Sequence, residues 1–327
     1  MPIARPVVTP PRPATLRERL ITATLAGGVA LLRHLPEGLV FRAAYAAGLA
    51  AWLVDRKRRT LVRANLRQVC LGLQARGLAS PTISAAASDE RQLARLTRAA
   101  FGQWAVSYAE SAVATGYSPE RLRARVSLPT PAAAAATAAL APARSGEVGR
   151  IFVSPHFGAM ELAGLYAVQV SGLRVWAPME TVANPALQAY FERTRGASGI
   201  GIVSAVGASS HLRDALAVGD DVAIVSDRPI GGLGVRVELL GAIARMPVGP
   251  AVLAVESGAP VYAIGVVRTG WGRWSAHIER LDLPAVGTRR ERLSAVLDAQ
   301  ARAFERIISE APEQWWACLF PIWERRG

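Results

Sequence analysis

The chain has 327 residues, with 38 lysine plus arginine against 25 acidic residues, a formal net charge of +13 and a pI near 11.0. That length supports a full hydrophobic core as one large or two ordinary domains, and the charge calls for a polyanionic partner: nucleic acid, an anionic membrane or a phosphorylated substrate. Two distant cysteines, Cys70 and Cys318, exclude a disulfide framework and a zinc-ligand pattern, and they fit a reducing cytoplasm.

Met1–Pro13 is proline-rich and is expected to be poorly ordered. An apolar run over Leu20–Leu32 follows, then the charged interruption Arg33-His34-Leu35-Pro36-Glu37, then a second apolar run over Ala43–Val54. Each run falls short of the ~20 residues that span a bilayer as a helix. Arg17 and Arg19 precede the first run as in a signal peptide, but no strong cleavage site follows and a second run comes at once. The cluster Arg56-Lys57-Arg58-Arg59, continued by Arg63 and Arg67, sits at headgroup level if the preceding helix lies in the interface. Apolar helix plus adjacent basic residues is the two-signal recipe for binding anionic lipid; the alternative is a buried helical hairpin with a solvated basic end. Residues 1–70 are therefore expected to form a membrane-associating helical portion, and residues 71–327 an α/β domain with a helical lead-in.

Gly72–Ser88 reads as a loop rich in Gly, Ser, Pro and Ala. From Asp89 the pattern turns helical, with Leu93, Leu96, Ala100, Trp104 and Tyr108 recurring every three or four residues as core contacts. Pro129–Ala143 is an alanine-rich connector or helix, and no internal repeat is present. After Gly149 strands alternate with helices. Strands are expected over Arg150–Ser154, Leu173–Ala177, Ile200–Val203, Val222–Ser226, Val235–Leu240, Val261–Val267 and Trp274–Ile278. Helices are expected over Glu161–Val170, Asn184–Arg195, His211–Val218, Pro250–Glu256 and Arg289–Ile308. That rhythm implies an α/β fold with a largely parallel central sheet flanked by helices. His156, the loop starting at Pro178, and Asp227-Arg228 all follow expected strands, so they share the rim where such sheets place chemistry.

The chemistry concentrates in Ile151–Glu161. A short apolar run ends in Ser154-Pro155, exposes His156 and passes through Gly158 to Glu161 at a helix start. Pro155 takes the chain out of the sheet, and Gly158 gives the turn its steric freedom. His156 and Glu161 are not on one helical face, because five residues advance a helix about 140° past a full turn. They meet only if His156 sits on the turn and Glu161 points back, in which case the carboxylate orients the imidazole and supports it as a general base. The bland alternative is a loop histidine beside a helix-start glutamate. Other chemistries are missing from the sequence: no Gly-x-Ser-x-Gly elbow, no Walker lysine (Lys57, the only lysine, is misplaced) and no His-Glu-x-x-His metal motif. Gly231-Gly232-Leu233-Gly234 lacks dinucleotide spacing and reads as a turn, with a substrate loop as the alternative.

Ser154-Pro155-His156-Phe157-Gly158-Ala159-Met160-Glu161 resembles the His-x4-acid block of the lysophospholipid acyltransferase superfamily. The likeness is to the branch of lipid A late acyltransferases and phosphatidylinositol mannoside acyltransferases. Further blocks follow in family order: Arg63-Ala64-Asn65-Leu66, Asn184-Pro185, Arg195 with Gly199, Asp227-Arg228, Gly234-Val235, Met246–Ala251, Gly258–Val261 and Pro312-Glu313-Gln314-Trp315-Trp316. The resemblance covers roughly residues 15–325. It implies a glycerol-phosphate-acyltransferase-like fold and an O-acyltransferase on the cytoplasmic membrane face. The implied reaction moves a fatty acyl group from acyl-CoA or acyl carrier protein to a lipid-linked hydroxyl, the thioester serving as co-substrate without cofactor or metal. His156 and Glu161 become the implied catalytic pair. Arg195, Asp227 and Arg228 are assigned to substrate binding, the arginines suiting phosphate with structural salt bridges as their alternative role, and backbone N–H groups near Phe157 and Gly158 are candidate oxyanion donors. The chain departs from the mannoside branch at Arg236, where that branch commonly has an acid; Glu238 lies two residues on. Asp227-Arg228 and Arg245-Met246-Pro247 look closer to the mannoside branch than to the lipid A branch. An inactive relative or a basic nucleic-acid-binding protein is the rival reading, but the sequence holds no nucleic-acid module or basic–aromatic stacking platform.

Overall fold

The computed structural model describes residues 12–129, 139–144, 146–229 and 234–324. Expectations for Met1–Pro13, the Pro129–Ala143 stretch and the Gly231-Gly232-Leu233 turn lie wholly or mainly outside them. Helix α1 (Leu16–His34) opens with a capping box in which Thr15 and Glu18 satisfy each other's backbone N–H groups, and α2 (Glu37–Val54) follows Pro36. The second apolar run is thus the end of a longer helix. It is the one helix among the described residues long and apolar enough to cross a membrane. Next come α3 (Arg56–Ala75), α4 (Pro81–Ser88), α5 (Glu90–Ala114) and α6 (Pro119–Arg125). The expected loop over Gly72–Ser88 is corrected: Pro81 occupies a first helical turn behind a Ser80 cap, and alanines complete α4.

The strands are β1 (Val126–Ser127), β2 (Ile151–Ser154), β3 (Val175–Met179), β4 (Gly201–Ser204), β5 (Asp221–Val225), β6 (Val235–Leu239), β7 (Ala242–Met246), β8 (Val261–Gly270) and β9 (Arg273–Arg280). Between them run α7 (Met160–Leu165), α8 (Pro185–Ala197), α9 (Ala208–Ala217) and α10 (Gly249–Ser257), with α11 (Arg289–Glu310) after β9. Seven strands form one sheet in the order β1-β9-β8-β2-β5-β3-β4, parallel throughout except for β8–β9; β6 and β7 make a separate hairpin. The α/β architecture with a mostly parallel sheet is as expected. Pro178 lies inside β3 instead of opening a loop, and Glu161–Val170 is a short α-helix that widens into a π-turn over Tyr166–Val170.

Buried residues of α3, α10, α11, the β6–β7 hairpin and one sheet face share a core that includes Leu66, Val69, Phe304 and Ile307. Helix α2 packs against α5 at a glycine: a Cβ on Gly48 would lie 2.2 Å from the Phe101 carbonyl oxygen. The α5 layer is tied to the sheet by a buried ion pair between Glu110 and Arg268 of β8, to which the Trp274 indole adds a 2.8 Å hydrogen bond. A second buried pair, Arg150–Asp221 at 2.8 Å, joins the entry ends of β2 and β5.

His277 on β9 lies 2.7 Å from a Glu310 carboxylate oxygen and 3.6 Å from Glu279, which Arg306 also engages at 2.8 Å. Burial alone would lower this imidazole, but the two carboxylates outweigh it and push its pKa up to about 9. A raised folded-state pKa contributes stability that is fully present below the unfolded value, ~6.5, and is lost as pH rises through 9. The melting temperature is expected to fall between pH 6.5 and 9, and His277→Gln should flatten that limb. Parallel melting curves for both proteins across the range would disprove the linkage.

Candidate active site

The site grows from the register of two neighbouring parallel strands. Ser154 of β2 stands opposite Val225 of β5, so His156 and Asp227 each lie two residues beyond paired strand ends. Ser226 N–H donates to the Ser154 carbonyl at 2.9 Å, carrying the alignment past the strands. The histidine turn and the Asp227 turn are thereby brought face to face.

Asp227 is fully buried. Its Oδ1 lies 2.5 Å from His156 Nδ1, and its Oδ2 accepts from His156 backbone N–H at 2.9 Å and from the Trp315 indole at 2.7 Å. Burial alone would raise this carboxyl. The positive charge and hydrogen bonds of His156, together with the Trp315 bond, outweigh it and hold the pKa below the ordinary aspartate value. The carboxylate therefore persists well into acid, and its contribution to stability is lost only as pH falls through that depressed value. With Nδ1 engaged, Nε2 is the ring nitrogen free to exchange a proton. The imidazole edge rests on Trp316, ring centroids 4.5 Å apart.

The expected His156–Glu161 pairing is corrected. Glu161 Oε1 instead meets Arg195 at 2.7 Å, joining α7 to α8. Glu161 lines the same cavity but is engaged by Arg195, and the neighbouring strand β5 supplies the acid that meets His156 Nδ1. Asp227, assigned to substrate binding, is the histidine's partner, and the tie to Glu161 takes up Arg195. The Gly158 N–H is not a free oxyanion donor, since it bonds the Gln314 carbonyl at 3.0 Å. Gly158 itself is needed: its φ is +52°, and a Cβ there would lie 2.0 Å from the Val266 carbonyl oxygen. Arg236 and Glu238 face other partners, Glu324 at 3.2 Å and Arg76 at 2.5 Å.

His156, Glu161, Arg195 and Arg228 all line one cavity of about 520 Å³, with Asp227 behind His156. The cavity runs across one sheet face, touching Ile278 of β9, Ile264 of β8, Phe152 of β2, Ala223 of β5 and Ile202 of β4, beneath α7 and its π-turn. A mostly apolar chamber with a few polar groups at one region is the usual form of a small-molecule site. No group of three or more potential metal ligands occurs among the described residues. Sequence reasoning missed Trp315 and Trp316 as site residues, although their block was noted. They reach the site by bridging back to the turn, with Trp316 N–H donating to the His156 carbonyl at 3.0 Å. Tyr108, read as core, is 57% exposed and lines the cavity.

Residues 14–323 match the family described as bacterial lipid A biosynthesis acyltransferase. A phosphatidylinositol mannoside acyltransferase of Mycolicibacterium smegmatis is 28% identical over 183 residues, 54% of this chain and 57% of that protein. The enzyme of the same name from Mycobacterium tuberculosis is 28% identical over 180 residues, 54% of this chain and 55% of its own. The alignment thus spans a little over half the length of these curated relatives. With the match extending from α1 to beyond Trp316, the chain belongs to the bacterial lipid A biosynthesis acyltransferase family.

Proposed function

We propose that this protein is a membrane-associated O-acyltransferase that moves a fatty acyl group from an acyl thioester to a hydroxyl of a lipid acceptor. The observation that carries the reading is a histidine fixed by a buried carboxylate beside an apolar cavity. The cavity takes the acyl chain, and the thioester carbonyl lies near His156 Nε2. Nε2 removes the acceptor hydroxyl proton as the oxygen attacks the carbonyl carbon. The tetrahedral adduct collapses with cleavage of the C–S bond, and the imidazolium returns its proton to the departing thiolate. Asp227 holds the tautomer and stabilises the imidazolium. No covalent enzyme intermediate, metal or resident cofactor enters this scheme; CoA or acyl carrier protein serves as the acyl carrier. The names of the mannoside acyltransferase relatives favour a phosphoglycolipid acceptor.

Membrane association rests on α1, where Leu16, Leu20, Ile21, Leu25 and Leu31 are exposed, and on the basic start of α3. An anionic bilayer on the cytoplasmic side, where the thioester carriers are found, satisfies both. Thioester-dependent acylation of membrane lipid extract, followed by mass spectrometry, tests the overall assignment.

General-base catalysis is typically worth ~10²–10⁴-fold, so His156→Ala and Asp227→Asn should each lower turnover by about that range. His156→Ala retaining more than about a tenth of turnover would exclude the role. Glu161→Gln and Arg195→Gln remove the same bridge, so the double variant should lose little more than either single one; additive losses would show that they act separately. Leu20→Asn with Ile21→Asn should reduce flotation with anionic liposomes, as should high salt. Unchanged flotation of a folded double variant would remove α1 from the membrane contact.

A further inference from the structure

Arg228 stands beside the histidine–aspartate pair without a counter-charge. It follows Asp227 directly and lines the cavity with His156 and Trp316. Its Nε is buried and makes no hydrogen bond, and among the described residues the guanidinium has no ion-pair partner. What holds it is the Phe320 ring, 4.8 Å from the guanidinium carbon. The same ring carries Arg58, from the basic end of α3, at 5.8 Å. Arg58 donates to the Leu319 carbonyl at 3.4 Å and pairs with the half-exposed Asp55 carboxylate at 3.4 Å.

The nearby acids do not answer Arg228. Asp227 is engaged by His156 and Trp315, Glu161 by Arg195, and Glu180, the remaining acid of the cavity lining, is exposed. Two arginines share one ring and one carboxylate, Asp55 on Arg58, which leaves the charge of Arg228 in excess in a half-buried place. Such a charge is costly unless an anion arrives. The guanidinium is a planar fork, and such a fork held against a ring matches the oxygens of a phosphate ester in bidentate fashion.

We propose that Arg228 and Arg58, held on Phe320, form a phosphate subsite beside the catalytic cavity. The inference rests on the acyl-transfer reading and adds the chemistry of what is bound. The phosphate ester comes either from the pantetheine arm of the donor or from the headgroup of the acceptor. Held there, it anchors the substrate remotely from the bond that reacts, so its binding energy positions the reacting carbonyl or hydroxyl at His156.

The test uses full-length protein and matched substrate pairs. One pair is acyl-phosphopantetheine against acyl-pantetheine with a single acceptor; the other is a phosphoinositol glycolipid against a neutral glycolipid with a single donor. Arg228→Gln is expected to raise KM for the phosphate-bearing member of one pair about tenfold more than for its phosphate-free match, with Arg58→Gln acting in the same direction more weakly. The pair that splits identifies the source of the phosphate. Equal effects on both members of both pairs would overturn the subsite. Inorganic pyrophosphate, followed by tryptophan fluorescence, provides a readout independent of turnover. It should bind the wild type and bind Arg228→Gln at least about tenfold more weakly. If no thioester supports transfer while Arg228-dependent pyrophosphate binding persists, the acyl-transfer reading falls and the subsite stands. If His156-dependent transfer is intact and pyrophosphate binds both proteins equally, the subsite alone falls.

Discussion

The site depends on one buried carboxylate. Asp227 has no exposure to water, so each charge-assisted bond it accepts is stronger than it would be at the surface, and each bond it lacked would be expensive. The three groups that meet it come from two distant parts of the chain: the imidazole and backbone N–H of His156 after β2, and the indole of Trp315 near the C-terminal end of the described residues. The carboxylate is a junction of three loops as well as the histidine's counter-ion. Removing one partner of a buried charged pair typically destabilises by about 3–5 kcal/mol, because the other charge is left uncompensated. That penalty favours a single geometry, which is what the proposed removal of a proton from a positioned hydroxyl demands.

The sheet supplies the alignment on which this junction rests. Arg150–Asp221 joins β2 and β5 where the strands begin, and His156–Asp227 joins them just past their ends. Two side-chain pairs at opposite ends of one parallel ladder fix its register, since a one-residue slip would break both. Glu110–Arg268 does comparable work between α5 and β8, and Gln314 bonds both the N–H and the carbonyl of Arg268 at 2.8 and 2.9 Å. The C-terminal block, the helical layer and the central strands are thereby held in one frame around the cavity.

Much of the α/β half was legible in the sequence. Four- and five-residue β-branched runs bounded by Gly, Pro and Asp gave β2, β4 and β5 nearly to the residue, because local pattern and buried parallel strands coincide there. The site was half legible. His156 announced itself through Pro155 and Gly158, but its partner did not, since Glu161 is near in sequence while Asp227 is near only in the folded register. The signal was present in the matching runs Phe152-Val153-Ser154-Pro155-His156 and Ala223-Ile224-Val225-Ser226-Asp227, yet it is readable only once β2 and β5 are known to be neighbours. Helix α4 was hidden by its composition: Gly, Ser and Pro suggest a loop, but Ser80 and Pro81 here cap and open a helix. Tyr108 kept a helical period without being core, because α5 turns part of that stripe toward the cavity.

The contact of Trp315 and Trp316 with the histidine turn has a consequence for biosynthesis. A chain emerging from the ribosome folds from its N-terminal side, so the strands carrying His156 and Asp227 are available long before the tryptophans that clasp them. Until that segment docks, the carboxylate lacks its indole donor and the turn lacks the bridges that Gln314 and Trp316 supply. The site geometry therefore waits for the segment carrying Gln314, Trp315 and Trp316, and a nascent chain truncated before Gln314 carries His156 and Asp227 without the contacts that fix them.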